Sequence, residues 1–202
     1  IHSWTDQSFS KLYRSTINSS GGLEKVELLD KSLDTKFNEA TAVFTNDGKT
    51  VYFTRNNYNN GKEGKDDNDV ILLKLYKAEL SDGKWDNVQE LPFNSDVYNC
   101  AHPALSLDNK TLYFASNMPG TLGSSDLFKV SINDDGSFGT PVNLGGKINT
   151  PGRETFPFIS ENNELYFASD GLLGLGGLDV FATKFLDNGS HSKVYNVGSP
   201  IN

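Results

Sequence analysis

One short pattern of residues recurs along this chain, and the recurrence restricts what the chain can build. The stretch ETFPFISENNELYFASDGLLGLGGLDVFATKF (residues 154–185) reads as strand, polar turn, apolar strand, Gly-rich loop and strand. The same order returns in HPALSLDNKTLYFASNMPGTLGSSDLFKVSI (residues 102–132) and, more loosely, in residues 41–80. Tyr52, Tyr113 and Tyr166 mark the middle strand at spacings of 61 and 53 residues. Tyr13, Tyr76, Phe128 and Phe181 mark the strand after it, at spacings of 63, 52 and 53. From each of these to the apolar residue closing the next strand (Leu29, Leu91, Leu144, Val197) the gap is 16, 15, 16 and 16.

A period near 50 residues, made of strands and Gly/Asn/Asp turns, fits a propeller blade of roughly 40–50 residues and not a helical repeat. The expected fold is therefore all-β: a β-propeller of four-stranded antiparallel blades. About three and a half blades are expected, with a half blade at 1–36 and full blades at 37–97, 98–150 and 151–202. The first module is only a second half, because KLYRSTINSSGGLEKVELL aligns with DLFKVSINDDGSFGTPVNL. This suggests a segment of a longer protein, an arc of a roughly six-bladed ring whose other blades lie elsewhere in the parent chain. The alternative is a four-bladed ring lacking half a blade. The strands VYFT and LYFAS are apolar at consecutive positions, so both of their faces should be covered.

Composition removes several classes of function. A net charge of −8 lacks the basic footprint of a nucleic-acid binder and does not suit an anionic membrane surface. No run of about 18 apolar residues exists to span a membrane. Ile1 is not an initiator Met and no signal peptide is legible, so any targeting segment is expected upstream. The single cysteine, Cys100, rules out an internal disulfide and a Cys-based metal cluster, and is expected to be a small buried hydrophobe.

The usual marks of catalysis are missing. His2, His102 and His191 do not pair at metal-ligand spacing, and there is no G-x-S-x-G elbow. Gly171, Gly174, Gly176 and Gly177 precede a strand rather than a helix, so they suit hairpin geometry better than a phosphate cradle. Asp126 and Asp179 recur at equivalent strand starts, where they are expected to cap loop amides. The acidic run EGKDDND (residues 63–69) could hold Ca²⁺ but lacks the EF-hand order, and a solvated loop is the simpler reading. Arg14, Arg55 and Arg153 come from three modules, as in the carboxylate grip of sialidase-like propellers. They occupy non-equivalent places and no S-x-D-x-G-x-x-W box is present. Arg153, beside Glu154, is expected in an inter-blade ion pair or on the surface. No catalytic, cofactor or metal residue is assigned.

The first full module departs from its siblings. Tyr52 and Tyr76 are 24 residues apart, against 15 for the two later pairs. The excess lies in RNNYNNGKEGKDDN (residues 55–68), read as an exposed polar loop. Insertions of this kind map to loops and often to a binding face. Arg55, Tyr58, Lys62 and Lys65 in this loop, with Leu172 and Leu173 in the Gly-rich loop of the last module, are the candidate protein-binding residues.

Modules of the form P-x-[IL]-S-x-[DN]-x-x-[LV]-Y-F-x-S … G-x-G-G-x-D-[LVI]-[FY] … P-x-N-L-G-x-x-I-N-T resemble the WD40-like Pro-Asp propeller repeat family. The match is clearest over residues 141–181, extends over 102–149, and is loose in the first full module, where Ala42 replaces the Pro. That family includes the TolB propeller and OmpA-family envelope proteins of tetratricopeptide–propeller–OmpA architecture, some linked to type IX secretion and gliding. The resemblance implies a non-enzymatic, periplasmic, outer-membrane-associated interaction scaffold without cofactor, whose partners are other envelope proteins. The alternative is a glycan-binding or glycan-hydrolysing propeller.

Overall fold

The computed structural model describes residues 8–59, 61–186 and 190–202; Trp4 and His2 lie outside the described residues. Among the described residues every regular element is a strand. A short pair, β1 (Tyr13–Arg14) and β2 (Glu27–Leu28), comes first. A four-stranded antiparallel sheet follows, β3 (Glu39–Phe44), β4 (Thr50–Asn56), β7 (Leu73–Ser81) and β8 (Lys84–Glu90), in that spatial order. The hairpin β5 (Tyr58–Asn59) and β6 (Lys62–Glu63) projects between β4 and β7. The second sheet is β9 (Cys100–Leu105), β10 (Thr111–Ser116), β11 (Asp126–Ser131) and β12 (Val142–Asn143). The third is β13 (Glu154–Ile159), β14 (Glu164–Ser169), β15 (Asp179–Lys184) and β16 (Tyr195–Asn196).

The sheets stack face to face, and the second strand of each explains why. Side chains alternate across a strand, so Val51 and Phe53 pack backwards against Leu12 and Leu29, which flank the first pair, and Leu33 in the turn after it. Tyr52 points forwards, into a cluster with Leu112, Phe114 and Phe128 of the second sheet. Tyr113 and Ala115 then point forwards onto Leu165, Phe167 and Phe181 of the third. A strand sandwiched in this way must be apolar at every position, as VYFT and LYFAS are. The third sheet shows what happens without a neighbour. Its LYFAS strand alternates buried and partly exposed, whereas the same string in the second sheet is buried throughout.

The first strands of the sheets pack against one another, β3 on β9 and β9 on β13. They form the inner, axial side of the stack. Each carries an irregularity in its pairing at the same place, between Ala40 and Val43, between Ala101 and Ala104, and between Thr155 and Phe158. A non-glycine residue with positive φ sits inside each: Thr41 (44°), His102 (57°) and Phe156 (51°). An extra residue in one strand bends it and redirects a side chain, here at the axial edge of all three sheets.

The turn chemistry follows the expectations drawn from the repeat. The Asp126 carboxylate accepts the Leu122 N–H at 2.8 Å and the Gly123 N–H at 3.3 Å. Asp179 likewise accepts Leu175 N–H at 2.5 Å and Gly176 N–H at 3.1 Å. A Cβ on Gly174 would lie 1.7 Å from Asp179 Oδ2, so the glycine is required by close approach rather than by φ. Cys100 is fully buried, and burial pushes its thiol up to about 12.

Candidate functional site

The insertion in the first sheet is more ordered than its composition suggests. Tyr58 pairs with Glu63 and Asn59 with Lys62 across the β5–β6 turn. The Tyr58 ring meets Phe37 edge-on, 5.4 Å between centroids, and is half-buried. Lys36 Nζ lies 5.4 Å from the Tyr58 centroid and 2.7 Å from Glu63 Oε1. Beyond the hairpin, the Asp66 carboxylate accepts the N–H groups of Asn68 and Val70 at 2.9 and 2.8 Å. Lys65 pairs with Asp69 at 2.9 Å. Glu63, Asp66 and Asp69 thus face lysines and backbone amides. Among the described residues no three His, Cys, Asp or Glu side chains converge as metal ligands would.

Two of the sequence-derived candidates need correction. Arg55 is not in an exposed loop. It belongs to β4, opposite Glu39, and is 5% exposed. Its guanidinium lies 5.1 and 4.8 Å from the ring centroids of Phe53 and Tyr76, and Nη2 donates to the Leu33 carbonyl at 3.1 Å. The reason is pairing: β7 runs alongside β4 as far as Leu73 and draws Arg55 and Asn56 into the sheet. Leu172 is half-buried against the core between the second and third sheets, whereas Leu173 is 97% exposed. Lys62 and Lys65 are exposed, as expected.

The arginine trio is not assembled. Arg14 is exposed near Glu27, Arg55 is buried, and Arg153 forms an ion pair with Asp170 at 3.1 Å. That pair lies within the third sheet and its loop rather than between sheets, and the Arg153 side chain is exposed, so of the two expectations the surface position holds and the inter-blade ion pair does not. The backbone of Arg153 does join sheets: it bridges Ser125 in parallel, and the Glu154 N–H donates to the Ser125 carbonyl at 2.8 Å.

A second site lies at the axial ends of the second and third sheets, and the histidine count alone did not point to it. The His102 N–H donates to Thr54 Oγ1 at 2.9 Å, and Thr54 Oγ1 lies 2.7 Å from Thr41 Oγ1. His102 Nδ1 is hydrogen-bonded to Thr155 Oγ1 at 2.6 Å. This chain of polar contacts crosses all three sheets. The imidazole stacks on Phe156, 3.9 Å between centroids and 22° between planes. Burial lowers the His102 pKa to about 4, so the ring is neutral near pH 7. Around the pair is a cleft of about 380 Å³, with Asn99, Asn117, Ser124 and Arg153 on its walls and no Asp or Glu among the residues lining it. The signal available in the sequence was alignment: Thr41, His102 and Phe156 are equivalent residues, and the last two precede Pro103 and Pro157.

No known protein-family profile matches this chain, and no curated protein does. Solved structures do. An α-L-arabinofuranosidase from Lactobacillus brevis superposes with a TM-score of 0.57 at 15% identity, over 84% of this chain and 59% of the enzyme. TolB from Acinetobacter baumannii gives 0.52 at 16% identity, over 90% of this chain and 37% of TolB. A puromycin-hydrolysing peptidase from Mycobacterium tuberculosis gives 0.50 at 19% identity, over 85% of this chain and 26% of the peptidase. The chain therefore spans about a quarter to three fifths of the length of these proteins. The fold is a β-propeller arrangement of four-stranded blades. At these identities the likeness concerns the fold alone, and the three proteins differ in what their names say they do.

Proposed function

We propose that this chain is a non-enzymatic interaction scaffold, an arc of a propeller of about six blades in an outer-membrane-associated protein of the periplasm. The observation that carries the reading is the outward face of the third blade. One cross-strand row there runs Phe158, Tyr166, Ala182, Tyr195. Phe158 is 60% and Tyr195 49% exposed. The corresponding face of the second blade, with Ala104 and Tyr113, is covered by the third. Ala182 is covered and Tyr166 half-buried, and the exposed rings of Phe158 and Tyr195 on either side of them mark an interaction surface. Its natural occupant is a further blade of the same module, because both existing interfaces bury this face in that way. At the opposite end Tyr13, Ile17, Leu23 and Val26 are also more than half exposed, which supports an open arc over a closed four-bladed ring.

The envelope setting, and type IX secretion as its finer form, rest on the module's resemblance to OmpA-family propeller repeats. Tyr58 and Lys62 on the β5–β6 hairpin, with Lys65 and Leu173 on loops, are the docking positions for other envelope proteins. A hydrolytic role needs two carboxylates about 5–10 Å apart. The lining of the axial cleft, which offers imidazole, guanidinium, amide and hydroxyl groups, favours binding over hydrolysis.

The test is crosslinking in intact envelopes, with a benzophenone amino acid at Tyr195 and a lysine-reactive reagent acting on Lys62 and Lys65. The scaffold reading expects links from Tyr195 to further propeller blades and from the lysines to a distinct envelope protein. An absence of protein links from all three positions would overturn it.

A further inference from the structure

We propose that the axial cleft between the second and third blades binds a neutral sugar ring, with the face of Phe156 as its platform. A sugar ring presents one face of C–H groups, which packs on an aromatic ring, and a rim of hydroxyls, which seeks amide and hydroxyl partners. Both are present. Phe156 is 49% exposed and is held against His102, so its orientation is fixed before any ligand arrives. Among the described residues Asn99 Nδ2, Asn117 Nδ2, Ser124 Oγ and His102 Nε2 have no protein partner. The opposite atoms of the same residues are engaged: Asn99 Oδ1 by the Leu73 N–H, Asn117 Oδ1 by the Asn99 N–H, and His102 Nδ1 by Thr155. The side chains are thus oriented by one end and free at the other. Such preorganisation lowers the entropic cost of binding. The volume, about 380 Å³, falls within the range of small-molecule sites.

Electrostatics selects the class of ligand. Arg153 is the one cation on the walls, and Asp170 compensates its charge at 3.1 Å. The imidazole is neutral above about pH 4. No carboxylate lines the cleft to hold a cation or an amine. A phosphate or a polyanion would find only the compensated charge of Arg153, and a basic peptide no carboxylate in the lining, whereas a neutral polyol needs neither. Phe156 and His102 adopt positive φ, 51° and 57°, as Thr41 does at 44°, so this backbone turn belongs to the repeat and the side chains alone distinguish the boundaries. The equivalent residue at the preceding blade boundary is Thr41, which offers no ring, so the site is specific to this boundary.

The experiment is calorimetric titration of the purified chain with four neutral trisaccharides (maltotriose, xylotriose, arabinotriose and triacetylchitotriose) and with anionic trigalacturonate. At least one neutral trisaccharide is expected to bind with a millimolar or tighter Kd. Phe156→Asn should weaken that binding about tenfold, as the loss of one aromatic contact predicts. Asn tolerates positive φ, so this variant should keep or raise the urea midpoint; Phe156→Leu, which keeps apolar contact with His102 without a ring, should weaken binding as well. The proposal is overturned if no neutral trisaccharide binds at millimolar concentration. It is also overturned if trigalacturonate binds more tightly, or if both variants bind as well as the wild type. None of these results bears on the scaffold reading, which is tested at other residues.

Discussion

Tyr113 and Tyr166 occupy the same place in the same string, LYFAS, and the structure assigns them different costs of removal. Tyr113 is 8% exposed, stacks on Phe185 with centroids 5.5 Å apart, and sits among Leu127, Leu165 and Phe167. Truncating a buried aromatic to Ala removes its transfer free energy and leaves a cavity, about 3–5 kcal/mol in total. Tyr166 lies on the uncovered face, half-buried, with Phe158 at 6.3 Å and its hydroxyl 3.2 Å from Glu164 Oε2. Its truncation should cost about 1 kcal/mol, as for a surface contact. Urea unfolding of Tyr113→Ala and Tyr166→Ala reads the difference directly. With an m-value of about 2 kcal/mol/M, the midpoint should fall by about 2 M for Tyr113→Ala and by about 0.5 M for Tyr166→Ala. Equal shifts, measured where the protein is monomeric, would refute the argument that the outer face of the second blade is covered and that of the third is not.

Glu154→Ala should lower stability by about 3 kcal/mol, because it strands the Thr150 N–H, the Thr150 hydroxyl and the Ser169 hydroxyl, now bonded at 2.7, 2.8 and 2.6 Å; a calorimetric loss under about 1 kcal/mol would contradict this. His102 has its pKa depressed to about 4, so between the unfolded value near 6.5 and 4 the unfolded chain binds the extra proton and stability falls as pH falls. Allowing for its partial exposure, this amounts to about 1–2 kcal/mol, and His102→Asn should remove that part of the pH slope in urea titrations at pH 7 and pH 4.5. Cys100, buried and with its thiol raised to about 12, should resist maleimide at pH 8 in the folded protein and react at once in urea; rapid labelling of the native state would show the site to be open.

The repeat made the fold legible. Strand order, the sandwiching of VYFT and LYFAS, and the capping by Asp126 and Asp179 all follow from spacing and residue type. What was not legible depended on partners distant in sequence. The run of residues 55–59 is polar and reads as loop, yet β7 continues the pairing and covers Arg55 with Phe53, Tyr76 and Leu33. Leu172 and Leu173 are adjacent and chemically identical, and only the position of the neighbouring blade separates the half-buried one from the exposed one. His102 lacked a partner at any diagnostic spacing because its partners, Thr54, Thr155 and Phe156, come from other blades.

Where the blades differ is as informative as where they agree. Three sets of residues occupy equivalent axial positions and change identity from blade to blade. The start of the inner strand faces the end of the second in each case, as Glu39 opposite Arg55, Cys100 opposite Ser116, and Glu154 opposite Ser169. In the outer two sheets the buried Glu accepts hydrogen bonds from the threonine four residues earlier, Thr35 or Thr150. In the middle sheet Asp96 stands at the threonine position, and it pairs instead with Lys74 of the preceding sheet at 2.6 Å. With its would-be threonine donor replaced by a carboxylate, the middle sheet lacks the hydroxyl that serves a glutamate in the other two, and a thiol fills the space beside Ser116. Thr41, His102 and Phe156 form the third set. Packing between blades needs the same tyrosines and phenylalanines each time and so holds the period. The axial ends carry no such common requirement, and it is there that the chain sets a histidine on a phenylalanine beside unengaged amides.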